Sequence, residues 1–331
     1  MIQTIQNQLN ELATTYNNRT SVFDISIVHY TDKKLALSGR VLEQSQVDEI
    51  KRIFPTLQVD TSTIKILNRP SLPCLTVATN LTGLYEKPTF GMPLSNELYF
   101  GTTLEILDEE DRWAFTRQKD GYLGWVYKAY LTDKPVKPVT HLCLAPAIEL
   151  RAQPKADSEI ISRLVSGTGV HVEKTRGEWS YVIANQIGWI PSHMLRSLKE
   201  IPDSLKEKCE LLIEDSARMI GTPYLWGGTT GNGIDCSGFA RLLHRWIGIE
   251  IPRDADMQWA AAHPIEEPYQ VGDLFFFGEG DSDRRISHVA ISLGGWQIIH
   301  SSRGNNGVYI DNLLEKEGLK RIFVSAGSFL R

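Results

Sequence analysis

The sequence of 331 residues predicts an α+β protein built from several domains. Three observations lead to this prediction. A helical stretch and strand-like segments open the chain, a pattern of short strands occurs twice in its middle, and helices precede strands at its end. The length alone suggests two or three domains, because single hydrophobic cores stop growing near ~250–300 residues.

The composition is that of a globular protein, and it argues against several kinds of partner. Hydrophobic residues make up 42% of the chain, charged residues 23%, and the net charge is −5 at pH 7, which is ordinary for a soluble protein. No stripe of Lys and Arg is present, so no nucleic-acid partner held by phosphate contacts is expected. No apolar run approaches the ~20 residues of a membrane span, so no membrane partner is expected either.

The N-terminal segment MIQTIQNQLNELATTYNNRT is polar and rich in Asn. A secretory signal would show a basic start, an apolar stretch and a small-residue cleavage site, and this segment shows none of them. We therefore expect a cytoplasmic protein. The four cysteines form no CxxC pair, so we expect free thiols rather than a zinc knuckle or a dithiol redox site.

Residues 1–77 are predicted to form a small α+β unit. An N-terminal helix is followed by two strand-like segments, VFDISIVHY and KLALSGRV. The polar helix SQVDEIKRIF and the strand STIKIL complete the unit. This part of the chain carries no cluster of residues that suggests chemistry.

The middle of the chain contains an internal repeat. The segment LYEKP at 84–88 aligns with LRAQP at 150–154, Trp113 aligns with Trp179, and GWV aligns with GWI further on. Both copies have short alternating strands separated by Gly, Asp and Pro, which is typical of a small β-barrel. The order of these motifs resembles the bacterial SH3-like family. We therefore predict two SH3-like domains, residues 78–133 and 139–198.

A different pattern begins near residue 203. Apolar residues recur at helical spacing from Leu205 to Ile220. The Gly-rich loop TPYLWGGTTGNGID and a second helix, CSGFARLLHRWIG, come next. Strand-like segments follow in GDLFFFG, ISHVAISLG, WQIIHSS and KRIFVSA. Residues 203–331 are therefore predicted to form a further α+β domain.

Cys236 occupies the start of the second of these helices. The first N–H groups of a helix have no partner within it, and the helix dipole places positive charge there. We expect this setting to lower the pKa of the thiol below the ~8.5 of a free cysteine. Neighbouring amides could also bind an oxyanion. The alternative explanation is a small residue chosen for packing at a tight turn.

Two histidines can supply a base for this thiol. Strand alternation in SHVAI puts His288 on the face opposite Val289, and we expect the helix that carries Cys236 to cross the His288 face. His300 follows after a Gly-Gly turn. A two-residue loop would put the two imidazoles on opposite faces. A three-residue loop would pair Ala290 with His300 and bring the imidazoles roughly 7–8 Å apart at the backbone.

The row of one cysteine and two histidines fits the roles of nucleophile, base and base-orienting group. The third group holds the middle imidazole in the tautomer that accepts the thiol proton. The same three residues could instead bind zinc, although structural zinc sites have four ligands. We favour the catalytic reading and predict no cofactor and no metal.

The motifs TPYLWGG, IDCSGF, GDLFFF, SHVAI and IIHSS together resemble the NlpC/P60 family of papain-like cysteine peptidases, over roughly residues 205–331. The papain cysteine motif itself is absent. The resemblance implies cleavage of bacterial cell-wall peptides between γ-linked D-glutamate and a diamino acid. It also implies Cys236 as nucleophile, His288 as base and His300 as orienting group, with the Tyr224 hydroxyl beside the site.

The domain order, without an export signal, resembles the Bacillus-type γ-D-glutamyl-L-diamino acid endopeptidases that trim released muropeptides. In that group the first SH3-like domain helps to bind the free amino group of the N-terminal L-alanine. A buried ammonium needs carboxylate and hydroxyl partners. The resemblance therefore implies Glu86, Tyr122 and Asp254 as amine-binding residues, with Ser237 and Ala255 also lining the pocket.

Three functions remain open from the sequence. The favoured one is a monomeric, intracellular peptidase whose partner is a small murein peptide and whose product is L-Ala-γ-D-Glu. A second is another acyl reaction on the same scaffold, such as that of a wall-degrading endopeptidase, an amidase or an acyltransferase. A third is a non-catalytic protein that binds peptides through its SH3-like domains.

Overall fold

The computed structural model describes residues 1–279 and 285–330 of the protein. The chain forms two compact units, one of Met1–Leu75 with Thr103–Ala129, the other of Thr76–Thr102 with the chain from Tyr130 onward. All three residues of the predicted Cys–His–His row belong to the second unit. None of the helices described combines the length and the apolar character that a membrane crossing requires.

The first unit begins with two helices packed on a small sheet. Its elements in residues 1–75 are α1 (Ile2–Thr14), β1 (Phe23–Tyr30), β2 (Lys34–Val41), α2 (Gln44–Ile53) and β3 (Gln58–Ile66). Strand β2 pairs antiparallel with β1 and parallel with β3. Helix α1 buries Ile5 and Leu9, and α2 buries Ile50, in one core. Helix α2 begins with a capping box in which Glu43 and Gln46 bind each other's backbone N–H.

The next seven strands contribute to both units. They are β4 (Cys74–Val77), β5 (Leu81–Tyr85), β6 (Leu94–Tyr99), β7 (Thr103–Glu110), β8 (Trp113–Arg117), β9 (Leu123–Tyr127) and β10 (Leu131–Thr132). Strands β7, β8 and β9 form an antiparallel meander in the first unit, with Trp113 and Trp125 buried. Strands β5 and β6 form a hairpin in the second unit. The two compact units divide the chain differently from the four predicted domains. The predicted domain boundaries stay predictions.

Seven further strands of the second unit form a single sheet. They are β11 (His141–Cys143), β12 (Ala147–Arg151), β13 (Ile160–Val165), β14 (Gly169–Arg176), β15 (Trp179–Ile183), β16 (Ile187–Pro191) and β17 (Leu195–Ser197). The strand order is β13-β12-β16-β15-β14-β11-β17. Its core contains Ile148, Leu150, Leu164, Val182 and Ile190, which shows that the inward side of these alternating strands is aliphatic.

The remaining residues combine helices with an antiparallel sheet. The elements are α3 (Leu205–Arg218), β18 (Thr229–Thr230), β19 (Gly233–Ile234), α4 (Cys236–Trp246), α5 (Ala255–Ala261), β20 (His263–Ile265), β21 (Leu274–Glu279), β22 (Arg285–Ser292), β23 (Gln297–Ser302), β24 (Gly307–Asn312), α6 (Glu317–Ile322) and β25 (Phe323–Ser328). The six-stranded sheet has the order β20-β25-β21-β22-β23-β24. We call this region, from Leu205 to Ser328, the catalytic domain.

Helix α4 packs on one face of this sheet. Its Phe239 shares a hydrophobic core with Val289 and Ile291 of β22. The expectation that the helix crosses the His288 face is therefore wrong. His288 lies on the other face, where its ring is 5.4 Å from that of Phe277. The helix buries its apolar stripe against the aliphatic face because that arrangement removes the most apolar surface from water.

A buried ion pair joins the β11–β17 sheet to the catalytic domain. Arg196 of β17 donates to both carboxylate oxygens of Asp215 on α3, at 2.5 and 3.1 Å. It also donates to the Trp246 carbonyl at 3.2 Å, and the Trp246 indole N–H donates to the Cys143 carbonyl at 3.0 Å. Loss of one partner of such a pair leaves an uncompensated buried charge, so these contacts fix the two parts together.

Candidate active site

Cys236 is the first residue of α4, where a tight loop meets the helix. Asp235 is the N-cap residue: one carboxylate oxygen accepts from the Gly238 N–H at 2.7 Å, and the other from the Gly227 N–H at 2.9 Å. Cys236 is buried, with 8% of its surface exposed. The cap and the loop together hold the thiol at the positive end of α4.

Two glycines allow the loop and its neighbours to approach each other. A Cβ at Gly238 would lie 2.3 Å from the Gly228 carbonyl oxygen, and one at Gly227 would lie 2.2 Å from the Leu94 carbonyl oxygen. Gly227 also has a φ of +77°, which side-chain-bearing residues rarely adopt. The close approach of neighbouring backbone therefore explains why glycine occupies these positions of the YLWGG and CSG motifs.

Arg253 is a buried cation that neutralises the cap. Its guanidinium donates to the two oxygens of Asp235 at 3.1 and 2.7 Å and to the Ser237 hydroxyl at 2.9 Å. Its Nε donates to Asn96 of β6 at 2.8 Å. No role for Asp235 or Arg253 was predicted from the sequence. The role of Asp235 could have been predicted, because an acidic residue stands at the expected N-cap of the helix. Nothing in the sequence around Arg253 indicated its role.

The two predicted histidines are hydrogen bonded to each other and to a carboxylate. His288 Nε2 is 2.7 Å from His300 Nδ1, and His300 Nε2 is 3.1 Å from Asp311 Oδ2. The other oxygen of Asp311 is 3.0 Å from Lys316 Nζ. Nδ1 is therefore the ring nitrogen of His288 that remains for accepting a proton. We call the line from Cys236 through His288 and His300 to Asp311 the catalytic row.

The carboxylate determines the tautomer of both imidazoles. Asp311 accepts a hydrogen bond from His300 Nε2–H, which leaves His300 Nδ1 unprotonated as an acceptor. His288 must then donate through Nε2–H, so its Nδ1 carries the lone pair that can take the thiol proton. Asp311 was missed from the sequence. Its signal was an acidic residue on the strand that follows the His300 strand across the SRGNNG turn.

The loop between β22 and β23 has the length that the sequence argument required. Ile291 pairs with Ile299 and Ser292 with Ile298, and the Leu293 N–H donates to the Gln297 carbonyl at 2.8 Å. Three residues, 294–296, therefore form the loop. Continuing this register places position 290 opposite His300, so the prediction of a three-residue loop is confirmed.

The Cys236 sulfur lies beside β22 at the point where β22 and β23 are no longer paired. The Val289 N–H, beyond the paired stretch, donates a hydrogen bond to the Cys236 sulfur, as does the Ser237 N–H. The sulfur therefore lies against the backbone next to His288.

The geometry does not suit a zinc site built from the same residues. Two imidazole nitrogens bound tetrahedrally to zinc at ~2.0–2.1 Å lie roughly 3.3 Å apart. The facing nitrogens of His288 and His300 are 2.7 Å apart, which is a hydrogen-bond distance. The arrangement is that of a proton relay.

Burial sets the protonation states of the row. Desolvation, followed by the charge of Asp235, raises the pKa of the Cys236 thiol, so the expectation of an acidified thiol is wrong for the free enzyme. Desolvation, followed by the neighbouring His300, lowers the pKa of His288. The resting pair is therefore a neutral thiol and a neutral imidazole. The hydrogen bonds from the Val289 and Ser237 N–H groups lower the pKa of the thiol by less than burial raises it.

These shifts predict the pH dependence. A base at His288 has to be neutral, and the lowered pKa of His288 should move the acid limb of kcat/KM below the ordinary histidine value of 6.5. In the free enzyme, iodoacetamide should modify Cys236 more slowly at pH 7 than the exposed Cys74. Kinetics from pH 4 to 9 and site-resolved mass spectrometry measure both. An acid limb at or above pH 6.5, or faster labelling of Cys236, would contradict this assignment.

Asp311 provides a second test of the row. Asp311→Asn is expected to lower kcat by about 10- to 100-fold, because the amide no longer imposes one tautomer on His300. KM should change little, since the side chain contacts His300, Lys316 and Asn305. The matched control is Glu315→Gln, a nearby carboxylate that is hydrogen bonded to Asn312. Unchanged ring-nitrogen NMR shifts of His300 in Asp311→Asn would rule out the tautomer explanation.

Two other predicted residues lie beside the row. The Tyr224 hydroxyl is close enough to Cys236 for the charge of a thiolate to contribute, after burial, to a raised tyrosine pKa. Ser237 is buried, and its hydroxyl donates to Asp235 at 3.2 Å while it accepts from Arg253. The Ser237 side chain therefore helps to hold the N-cap residue Asp235 in place. A role of Ser237 in substrate binding stays a prediction.

The four remaining predicted residues are Asp254, Ala255, Glu86 and Tyr122. Asp254 is the N-cap residue of α5 and Ala255 its buried first residue; Asp254 is 3.9 Å from the Arg253 guanidinium. Glu86 is exposed just after β5. Tyr122 is buried in the other compact unit. Amine binding by Glu86, Tyr122 and Asp254 therefore stays a prediction.

Comparison with known proteins identifies the class to which this site belongs. Residues 221–326 match the NlpC/P60 family, residues 146–196 the bacterial SH3 domain, and residues 84–131 the bacterial dipeptidyl-peptidase Sh3 domain. The protein therefore contains an NlpC/P60 domain with bacterial SH3 domains ahead of it, and it is a peptidase of the cysteine type.

Among named proteins, the chain is similar to dipeptidyl-peptidase 6 of Lysinibacillus sphaericus, with 28% identity over 260 residues that cover 73% of this chain and 92% of the relative. It is also similar to the gamma-D-glutamyl-L-lysine dipeptidyl-peptidase of Bacillus cereus, with 27% identity over 66% of this chain and 70% of the relative. A crystal structure of an NlpC/P60 family protein from Bacillus cereus has the same fold, with a TM-score of 0.69 and 22% identity, covering 78% of this chain and 100% of that one.

Proposed function

We propose that the protein hydrolyses the bond between γ-linked D-glutamate and the next diamino acid in small murein peptides, and that it releases L-Ala-γ-D-Glu from peptides with a free N-terminal L-alanine. The observation that carries the proposal is the catalytic row, an arrangement suited to acyl transfer. The choice of bond is supported by two relatives named gamma-D-glutamyl-L-lysine dipeptidyl-peptidase.

The first half of the reaction forms a thioester. As the Cys236 sulfur attacks the γ-carbonyl carbon, the thiol proton moves to Nδ1 of His288. The imidazolium is stabilised by the hydrogen bond that His288 Nε2–H donates to His300, and Asp311 holds His300 in place. The carbonyl oxygen becomes an oxyanion, which the positive end of α4 stabilises. His288 then gives its proton to the departing amine, and the C–N bond breaks.

The second half releases the dipeptide. A water molecule takes the place of the amine and gives a proton to His288 Nδ1 as its oxygen attacks the thioester carbon. The C–S bond then breaks, and His288 returns the proton to the sulfur. The neutral resting state favours this cycle, because neither half-reaction leaves a charged pair buried at its end.

The recognition of a free amino group is the part of the proposal that rests on resemblance. Glu86, Tyr122 and Asp254 would supply two carboxylates and a hydroxyl for the ammonium. An N-acetylated alanine has no positive charge and is bulkier, so such a site excludes it. We include in the proposal that the enzyme acts as a monomer in the cytoplasm, where small peptide fragments are its substrates.

The test uses purified enzyme and the tripeptide L-Ala-γ-D-Glu-L-Lys. The expected products are L-Ala-γ-D-Glu and lysine, identified by mass spectrometry, with Cys236→Ala as the inactive control. The N-acetylated tripeptide should be cleaved at least about 100-fold more slowly, since a carboxylate that the bound peptide covers without pairing its charge costs several kcal/mol. Equal rates of cleavage of both peptides would contradict the proposal that the enzyme recognises a free amino group. Cleavage of intact sacculi without cleavage of the tripeptide would instead indicate a wall-degrading endopeptidase.

A further inference from the structure

Arg303 lies in the turn between β23 and β24, three residues after His300 of the catalytic row. Its guanidinium is 4.9 Å from the centre of the Trp226 ring and 5.7 Å from that of Tyr224. Trp226 is 56% exposed, so this cation is held over an aromatic surface at the edge of the site. Stacking of this kind fixes the plane of an arginine and reduces the entropy lost when it binds a ligand.

Hydrogen bonds connect this turn to both sides of the site. The Asn306 N–H donates to the Arg303 carbonyl at 3.2 Å, and the Tyr224 N–H donates to the Asn306 carbonyl at 3.3 Å. On the other side, the Asn305 side chain donates to Asp311 at 3.3 Å. Arg303 is thus tied to the loop before Cys236 and to the end of the catalytic row.

Two cations near the row are paired with carboxylates, and Arg303 differs from them in the part of the chain that the structure describes. Arg253 is paired with Asp235 at 2.7 Å, and Lys316 with Asp311 at 3.0 Å. Within the part of the chain that the structure describes, no carboxylate lies within 4.0 Å of the Arg303 guanidinium. Its polar neighbour is the Tyr224 hydroxyl, whose pKa it lowers against the larger effect of burial.

We infer that Arg303, held over Trp226 and Tyr224, forms a subsite that binds a carboxylate of the substrate next to the scissile bond. The inference rests on the proposed function, because γ-D-glutamyl peptides carry such groups on both sides of that bond. The γ-linkage leaves the α-carboxylate of D-glutamate free, and the diamino acid adds one carboxylate as lysine or two as diaminopimelate. The planar fork of arginine matches a carboxylate with two parallel hydrogen bonds.

The first experiment needs no peptide. Iodoacetate carries a carboxylate and iodoacetamide does not, and both alkylate Cys236. Arg303→Gln is expected to lower the rate with iodoacetate about tenfold relative to the rate with iodoacetamide. The matched control is Arg163→Gln, an exposed arginine on β13, which should keep the wild-type ratio. The same ratio in wild type and Arg303→Gln overturns the inference, whatever the natural substrate is.

The second experiment identifies the carboxylate. The parent is L-Ala-γ-D-Glu-L-Lys, compared with the peptide amidated at the D-Glu α-carboxylate, the peptide amidated at the lysine carboxylate, and the diaminopimelate peptide. Arg303→Gln is expected to lower kcat/KM on the parent by about 10- to 100-fold, and this loss should vanish with one of the two amides. A larger loss with diaminopimelate would assign the contact to its extra carboxylate.

The outcomes separate the subsite from the proposed function. An equal loss on all four peptides would show that Arg303 acts only through Tyr224, and the inference would fail although the peptidase assignment stands. Cleavage of none of the four by the wild-type enzyme would overturn the proposed function, and the iodoacetate ratio would still decide whether Arg303 binds a carboxylate beside Cys236.

Discussion

Replacing His288 by glutamine is expected to lower kcat by about 10⁴-fold or more on any substrate that the wild-type enzyme cleaves. Burial raises the pKa of the Cys236 thiol, so without the imidazole no neighbouring group removes the proton as the sulfur attacks. Glutamine is similar in size and retains an N–H for His300, so the loss measures proton transfer rather than packing. Steady-state kinetics on the tripeptide give kcat.

Two controls sharpen this result. The double variant Cys236→Ala/His288→Gln should be no slower than either single variant, because nucleophile and base act as one unit. His263→Gln changes an exposed histidine of β20 and should keep the wild-type kcat. If His288→Gln retained more than about 1% of wild-type kcat, another group would have to be the base.

Replacing Arg253 by methionine is expected to destabilise the catalytic domain by about 3–5 kcal/mol. The change leaves the buried Asp235 carboxylate without its cation, and it also removes the hydrogen bonds to Ser237 and Asn96. Because Asp235 caps the helix that begins at Cys236, kcat/KM should fall as well. Urea denaturation followed by tryptophan fluorescence measures the stability, and kinetics at low temperature measure the activity of the folded fraction.

The double variant Asp235→Asn/Arg253→Met separates charge from packing. It removes both members of the pair, so it should be more stable than Arg253→Met alone. Arg163→Met, on the surface of β13, is the matched control and should leave the urea midpoint unchanged. An Arg253→Met protein with the wild-type midpoint would mean that water reaches Asp235 and that the pair contributes little.

Local sequence patterns were sufficient to predict much of the secondary structure of the catalytic domain. Apolar spacing predicted a helix over 205–220, and the structure has one at Leu205–Arg218. The Gly-rich loop before Cys236 predicted a helix start, which is where α4 begins. The loop of three residues followed from requiring both histidines on one face. Each of these properties depends on a few neighbouring residues, so the sequence contains it directly.

The missed features depend on residues that are distant in the chain. Asp311 and His300 are neighbours only because β23 and β24 form a hairpin with a specific register. Arg253 and Asn96 are 157 positions apart. The face that α4 covers was also predicted wrongly, because alternation shows that two faces differ but does not show which one the helix packs against.

The sequence by itself predicted which groups are reactive. A cysteine at a helix start and two histidines at a particular strand spacing, together with the family motifs, predict nucleophile, base and orienting group. Only the tertiary structure decided the state of those groups. The helix end predicted an acidified thiol, but packing around Cys236 raises its pKa and burial lowers that of His288. Desolvation depends on everything that packs around a group, and local sequence does not carry that information.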